Sequence, residues 1–228
     1  MIVATVTDVH GQARALEAFA GVFEAADVVV VAGDVTNFGR RREAAEVIEA
    51  IRRRNPLALA VPGNCDYPEV DAYLDEQDIG LHGMSRVLDG VAFIGLGGSL
   101  PCPGRTPGEV EEPELAALLK AAAEGIDPAL PCVLVCHQPP RDTALDIVGN
   151  GMHVGSRSVR DFILTREPLV CFCGHIHEAA GRDALGRTQL LNPGPARGGG
   201  YAWAEIGRRD GAPGLVRCGL GQAPGIAF

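Results

Sequence analysis

Five apolar runs in this sequence each end on a short segment of Asp, Asn or His, and that repeated placement restricts the fold more than any other feature. The runs IVATVT, VVVVA, LALAVP, VLVC and LVCFC lead into Asp8-Val9-His10, Gly33-Asp34, Gly63-Asn64-Cys65-Asp66, His137 and Gly174-His175-Ile176-His177. Apolar, β-branched runs of this length read as strands buried on both faces, as in a parallel sheet covered by helices. Ligand sites of open α/β sheets lie beyond the carboxyl ends of the strands, where the loops diverge. Five polar clusters at five strand ends therefore point to one place. Their oxygen and imidazole donors suit divalent Mn, Fe, Zn or Ni.

Between the runs lie Ala/Glu/Arg-rich segments of helical period. Strands over 1–8, 27–33 and 57–62 alternate with helices over 12–26, 39–54 and 68–78, which predicts a parallel βαβαβ unit with right-handed crossovers. Residues 85–98 read instead as two strands joined by a turn at Asp89-Gly90. A Pro/Gly-rich loop (100–108) and a helix (112–124) follow. Then come a strand (132–136), a helix (156–165), a strand (169–173) and short strands near 188–191 and 202–206. The expectation is one α/β domain over 1–228. Its two mixed sheets, packed face to face and flanked by helices, would form a four-layer α/β/β/α sandwich. Periodicity is compatible with that arrangement but does not require it.

The formal net charge of −9 argues against a general nucleic-acid or anionic-membrane binder, and any phosphate site must supply its own positive charge. The seven cysteines fall mostly inside apolar runs, which suits buried thiols in a reducing compartment better than a disulfide framework. Met1 leads straight into the first strand without a basic n-region, and no apolar run nears the ~20 residues needed to span a bilayer. A cytoplasmic location is expected.

Asp8 and His10 stand two apart, so in extended chain both side chains leave one face, and the same holds for His175 and His177. Asp34 and Asn64 end neighbouring strands. A carboxylate there can bridge two ions, and an amide oxygen can ligate one. Each motif alone is common in loops, but four of the six histidines fall in these clusters at equivalent positions.

The order D-x-H, G-D, G-N-x-D, H, G-H-x-H resembles that of the calcineurin-like metallophosphoesterase family, over nearly the whole chain. The resemblance implies the four-layer sandwich and a centre of two divalent metals (Mn, Fe, Ni, Co or Zn). Asp8, His10 and His177 would hold one metal, Asn64, His137 and His175 the other, and Asp34 would bridge both. Asp34, Asn64, Cys65 and Asp66 would take part in catalysis, and the substrate would be a small phosphate ester. Two divalent ions about 3.5–4 Å apart lower the pKa of a bridging water toward ~7, and the hydroxide formed attacks phosphorus in line. Phosphodiesters are the preferred substrate class. A phosphomonoesterase acting on nucleotides, sugar phosphates or phosphoproteins is the enzymatic alternative, and a non-catalytic scaffold the other.

Many family members carry His where this chain has Cys65, and that His assists catalysis. A thiol, with a pKa near 8.5, is a weaker acid than imidazolium. His153 is the candidate substitute acid, in a turn before a helix starting near Ser156, whose free N–H groups could cradle phosphate. Cys171 and Cys173 precede His175 and His177 at alternate positions. In extended chain at ~3.3 Å per residue the outermost pair lies roughly 20 Å apart, so the cysteines read as core. The Arg40–Arg42 and Arg52–Arg54 runs read as a solvated, salt-bridged face. Arg141, Arg157 and Arg197 are candidate phosphate clamps. Asn192-Pro193-Gly194-Pro195 reads as a structural turn, and the hairpin near Asp89-Gly90 as an edge strand open to a partner.

Overall fold

Val28 and Val30 point to one side of their strand and Val29 and Val31 to the other, and each side is buried in a different core. That double burial is why the run carries no polar alternation. In the computed structural model, which describes residues 1–209 and 211–224, the chain begins with β1 (Ile2–Val6), a 3-10 segment (Ala13–Phe19), α1 (Ala20–Ala25), β2 (Val28–Ala32), α2 (Arg41–Arg52), β3 (Ala58–Val61) and α3 (Pro68–Glu76). It continues through β4 (Ser85–Leu88), β5 (Val91–Leu96), α4 (Glu112–Ala123), β6 (Cys132–Cys136), α5 (Arg157–Arg166) and β7 (Val170–Phe172). The last strands are β8 (Gly181–Leu185), β9 (Thr188–Asn192), β10 (Gly200–Arg209) and β11 (Ala212–Gln222).

The first sheet has the order β11-β10-β1-β2-β3 and the second β4-β5-β6-β7-β9-β8. β1, β2 and β3 are parallel, as are β5, β6, β7 and β9, while β10, β11, β4 and β8 pair antiparallel. Both sheets are thus mixed. Val28, Val30 and Ala32 face Phe93, Val133, Val135 and Phe172 across the central layer. Val29 and Val31 pack against Phe19, Phe23, Ile48, Ile51 and Leu74 on one outer face. Ile94, Leu134 and Cys171 meet Leu115, Leu119, Val159 and Ile163 on the other. These three cores define an α/β/β/α sandwich, and each fully buried Val, Leu or Phe contributes roughly 1.5–3 kcal/mol.

Four differences from the sequence reading have local causes. Residues 13–19 form a 3-10 segment before a short α1, with buried Leu16 and Phe19 three apart, the spacing that a three-residue turn stacks on one face. β8 and β11 were not expected. β8 is a half-exposed edge strand of sequence GRDAL, and β11 carries three glycines and a proline. β10 runs over ten residues, longer than the 202–206 expected. At the Asp89-Gly90 turn both residues have positive φ (48° and 78°), as a two-residue hairpin requires, and β4 lies at the sheet edge as expected. The arginine runs are engaged in ion pairs: Arg40 with Glu69, Arg41 with Glu76 at 2.7 Å, and Arg54 with Glu17 and Glu24 at 2.9 and 3.0 Å.

The start of α5 corrects an expectation. Ser156 is its N-cap, accepting from Val159 N–H, but the cradle beyond is filled from within. The Glu112 carboxylate accepts from Arg157 N–H (2.7 Å), Ser158 N–H (3.1 Å) and both the Ser156 and Ser158 hydroxyls (2.9 and 2.6 Å). Partial burial disfavours ionisation of Glu112, yet these hydrogen bonds hold its carboxyl below its ordinary value of 4.5. A depressed carboxyl adds stability above its unfolded pKa and loses it as pH falls through the folded one. Glu112→Gln is therefore expected to cost about 1 kcal/mol near pH 7. The gap in Tm from wild type should close as pH drops below about 4.5. A gap that stays constant down to pH 3 would contradict this role.

Candidate metal centre

The loops after β1 and β2 run side by side, with Asp8 N–H donating to Gly33 O (3.0 Å), His10 N–H to Asp34 O (2.9 Å) and Gly11 N–H to Val35 O (2.9 Å). This path requires left-handed backbone at Asp8, His10 and Asp34 (φ 53°, 48° and 48°), and His175 has φ 67°. Asp, Asn and His tolerate that region better than other non-glycine residues. Asp8 and His10 therefore converge through a turn and not, as expected, through the alternation of extended chain. The second pair differs likewise, because β7 ends at Phe172 and His177 opens a 3-10 turn.

The side chains of these motifs converge on one place. Asp8 Oδ1 lies 3.0 Å from His177 Nε2 and 4.0 Å from His10 Nε2. Donor atoms of Asp8, His10 and His177 lie within 4.8 Å of one another, as do those of Asp8, Asp34 and His137. Asp34 faces two ways. Its Oδ1 is 3.5 Å from His137 Nε2 and accepts Cys65 N–H at 2.8 Å, while its Oδ2 is 3.7 Å from His10 Nε2. Asn64 Oδ1 lies 3.0 Å from His137 Nε2, and the His175 ring centroid is 5.2 Å from that of His137.

This donor set fits cations. His137 Nδ1 sits 2.9 Å from Ala32 O and so carries a proton, which directs Nε2 at two oxygen acceptors, Asn64 Oδ1 and Asp34 Oδ1. Three electron-rich atoms facing one another need either a second proton on His137 or a cation among them. Burial alone would lower the His137 pKa, but the Asp34 and Asp8 carboxylates raise it. Burial opposes ionisation of Asp8 as well, yet the His177 hydrogen bond and the His137 charge bring it to about 2. His175 is pushed down to about 4 by burial, then by the neighbouring His137 charge. His177 is raised by its bond to Asp8. Buried Asp8 and Asp34 (1% and 3% exposed) place two negative charges together, the situation a bound divalent cation would resolve.

Other expected residues take different places. Cys65 Sγ lies within 4.8 Å of donor atoms of His10 and Asp34, and burial, then Asp34, pushes its thiol well above the ordinary range. Asp66 was expected to be catalytic, but its contacts are those of a brace. It accepts from Val35 N–H (2.9 Å), Thr36 N–H (2.7 Å), Thr36 Oγ1 (2.7 Å) and Gly63 N–H (2.7 Å), tying the second motif loop to the third. His153 Nδ1 bonds Asp146 Oδ1 at 2.7 Å, within the loop that precedes α5. Cys171 and Cys173 are core.

Sequence reasoning missed three supports. Thr7 Oγ1 lies 2.7 Å from Asp8 Oδ2, and buried Asn192 donates to Ile176 O (3.0 Å), between the two histidines of the last motif. Asn64 Nδ2 donates to Thr106 Oγ1 (3.0 Å). Of the three candidate clamps, Arg141 pairs with Asp142 (3.7 Å) and Arg157 is exposed at the start of α5. Arg197 is exposed in the turn Ala196–Gly198, which docks on the first motif through Ala196 N–H to Thr7 O (3.0 Å), and its charge opposes protonation of His177.

Comparison with known proteins places the arrangement. The family model of the calcineurin-like phosphoesterases matches residues 1–179. The chain belongs to that family. Calcineurin-like phosphoesterases are metal-dependent phosphoester hydrolases, and the Asp/His clusters here could hold the metals. An uncharacterised protein of Methanocaldococcus jannaschii is 36% identical over 202 residues, covering 86% of this chain and 88% of its own. The crystal structure of TT1561 of Thermus thermophilus shares the fold with a TM-score of 0.73 at 19% identity, over 97% of this chain and 98% of that one. The calcineurin-like phosphoesterase YfkN from Bacillus subtilis aligns with a TM-score of 0.61 at 13% identity, over 99% and 91%. No described helix is long and apolar enough to cross a membrane.

Proposed function

We propose that this protein is a phosphodiesterase whose centre holds two divalent metal ions. The observation that carries the reading is Asp34, whose two oxygens are turned toward different imidazoles, His137 and His10. Asp8, His10 and His177 would hold one ion, and Asn64, His137 and His175 the other. The ions supply Lewis acidity, lowering the pKa of water toward ~7 and neutralising charge on phosphoryl oxygens. The protein contributes rigidity: the left-handed loops and the Asp66 brace fix the donors before substrate arrives.

The diester preference rests on the absence of an acid. Cys65 offers a thiol, ordinarily a weaker acid than imidazolium, and the nearby imidazoles would be committed to ions. A leaving group must therefore depart with little protonation, which favours a substrate such as an aryl diester over an alkyl monoester. Small phosphate esters suit the site, whereas the acidic surface and paired arginines disfavour nucleic acid as a general partner. A cytoplasmic location accords with the free, buried thiols.

The direct test is hydrolysis of bis(p-nitrophenyl) phosphate beside the monoester, using metal-stripped protein with and without Mn²⁺. Diester turnover that depends on metal and exceeds monoester turnover is expected. The reverse preference would make the enzyme a monoesterase, and no turnover despite bound metal would make it a scaffold. Across a series of aryl diesters, Cys65→His should flatten the dependence of rate on leaving-group pKa, raising the slowest substrates at least about tenfold. An unchanged slope would remove Cys65 from the explanation. His153→Ala in the same series decides whether His153 acts as acid, since only an acid would steepen the slope.

A further inference from the structure

The amide of Asn64 has two ends of the same shape. Only its oxygen can serve a cation, so something must fix which end faces the centre. The loop between β5 and α4 supplies it. Glu109 Oε1 lies 3.1 Å from Thr106 Oγ1, and a carboxylate can only accept, so the hydroxyl spends its single proton there. The lone pairs left on Thr106 Oγ1 then face Asn64 Nδ2 at 3.0 Å, and that contact is satisfied only by an amino group. The amide oxygen is thereby turned to the opposite side, toward His137 Nε2. Rotating the amide would set oxygen against oxygen at Thr106 and an N–H₂ group against the cation.

The relay is itself anchored. Glu109 Oε1 also accepts Thr106 N–H (2.7 Å) and the Cys102 thiol (3.2 Å), and the backbone bond from Thr106 leads in holding its carboxyl below the usual range. Gly108 N–H donates to Asn64 O (2.9 Å), and a Cβ on Gly108 would stand 2.5 Å from Gly63 O and 3.0 Å from Asn64 Cα. The loop thus lies directly on the third motif.

We infer that Thr106 and Glu109 are positioning residues that hold the Asn64 amide oxygen-first toward the metal centre. The inference rests on the reading of Asn64 as a ligand. Partners that orient a ligand are typically worth 10–100-fold in metal affinity.

The test is Mn²⁺ binding by equilibrium dialysis on the metal-stripped full chain, with circular dichroism confirming the fold of each variant. Wild type should bind two equivalents, and Asn64→Ala should lose one. Thr106→Val keeps the shape but removes the hydroxyl, and should weaken one of the two sites by about 10–100-fold. Thr106→Ser restores the relay and should return affinity to within about threefold of wild type. Equal binding by Thr106→Val and wild type would overturn the inference, as would equal weakening by Val and Ser. If Asn64→Ala still binds two equivalents, the ligand reading has failed and the inference falls with it. If Asn64→Ala loses one equivalent while Thr106→Val loses nothing, only the positioning claim is wrong.

Discussion

Asp34→Asn is expected to reduce metal-dependent diester hydrolysis by about a thousandfold or more while leaving the fold in place. The substitution keeps the shape and the left-handed backbone, which Asn tolerates. It removes the charge and one of two acceptor oxygens. Oδ1 is held by Cys65 N–H and faces His137, and Oδ2 faces His10, so an amide can satisfy one side only. Equilibrium dialysis should then find fewer than two Mn²⁺ bound, with Tm within a few degrees of wild type. Retention of a tenth of wild-type turnover would mean that Asp34 does not join the two halves of the centre.

Gly33→Ala should destabilise the protein strongly. Gly33 has φ of 94°, and a Cβ there would stand 2.2 Å from His137 Nδ1, the atom bonded to Ala32 O. Backbone strain of ~1–3 kcal/mol adds to overpacking of similar size, for a loss of about 3 kcal/mol or more. In a chain of this length that lowers Tm by about 6–12 °C. Gly125 is the control: its φ is 81°, but nothing lies within 4 Å of the added Cβ. Gly125→Ala should therefore cost only the strain. Equal Tm losses in both variants would show that the contact with His137 is relieved at no cost.

The strand ends were legible because central strands of a covered sheet have no solvent face, so their runs stop abruptly at the first polar residue. The Asp89-Gly90 hairpin was legible because few residue pairs accept two positive φ values in succession. β8 escaped because an edge strand can be polar along its length, and β11 because its glycines and proline resemble those of a loop. The convergence of Asp8 with His10 was expected for a reason the structure replaces: alternation along extended chain gave way to two left-handed residues. What no local pattern could reveal were contacts made from far along the chain. The Glu112 carboxylate at the start of α5 and the reach of Thr106 to Asn64 both depend on where loops lie after the sheets have docked.

The residues proposed as ligands divide between the two sheets. Asp8, His10, Asp34 and Asn64 follow β1, β2 and β3, whereas His137, His175 and His177 follow β6 and β7. Ions held between them would act as rivets through the seam of the sandwich. Native-state ligands stabilise by mass action, about 2.7 kcal/mol at a hundred times the dissociation constant. The amount of free metal around such a molecule would then be recorded in its resistance to heat and proteolysis, and a starved copy would be cleared sooner than a loaded one.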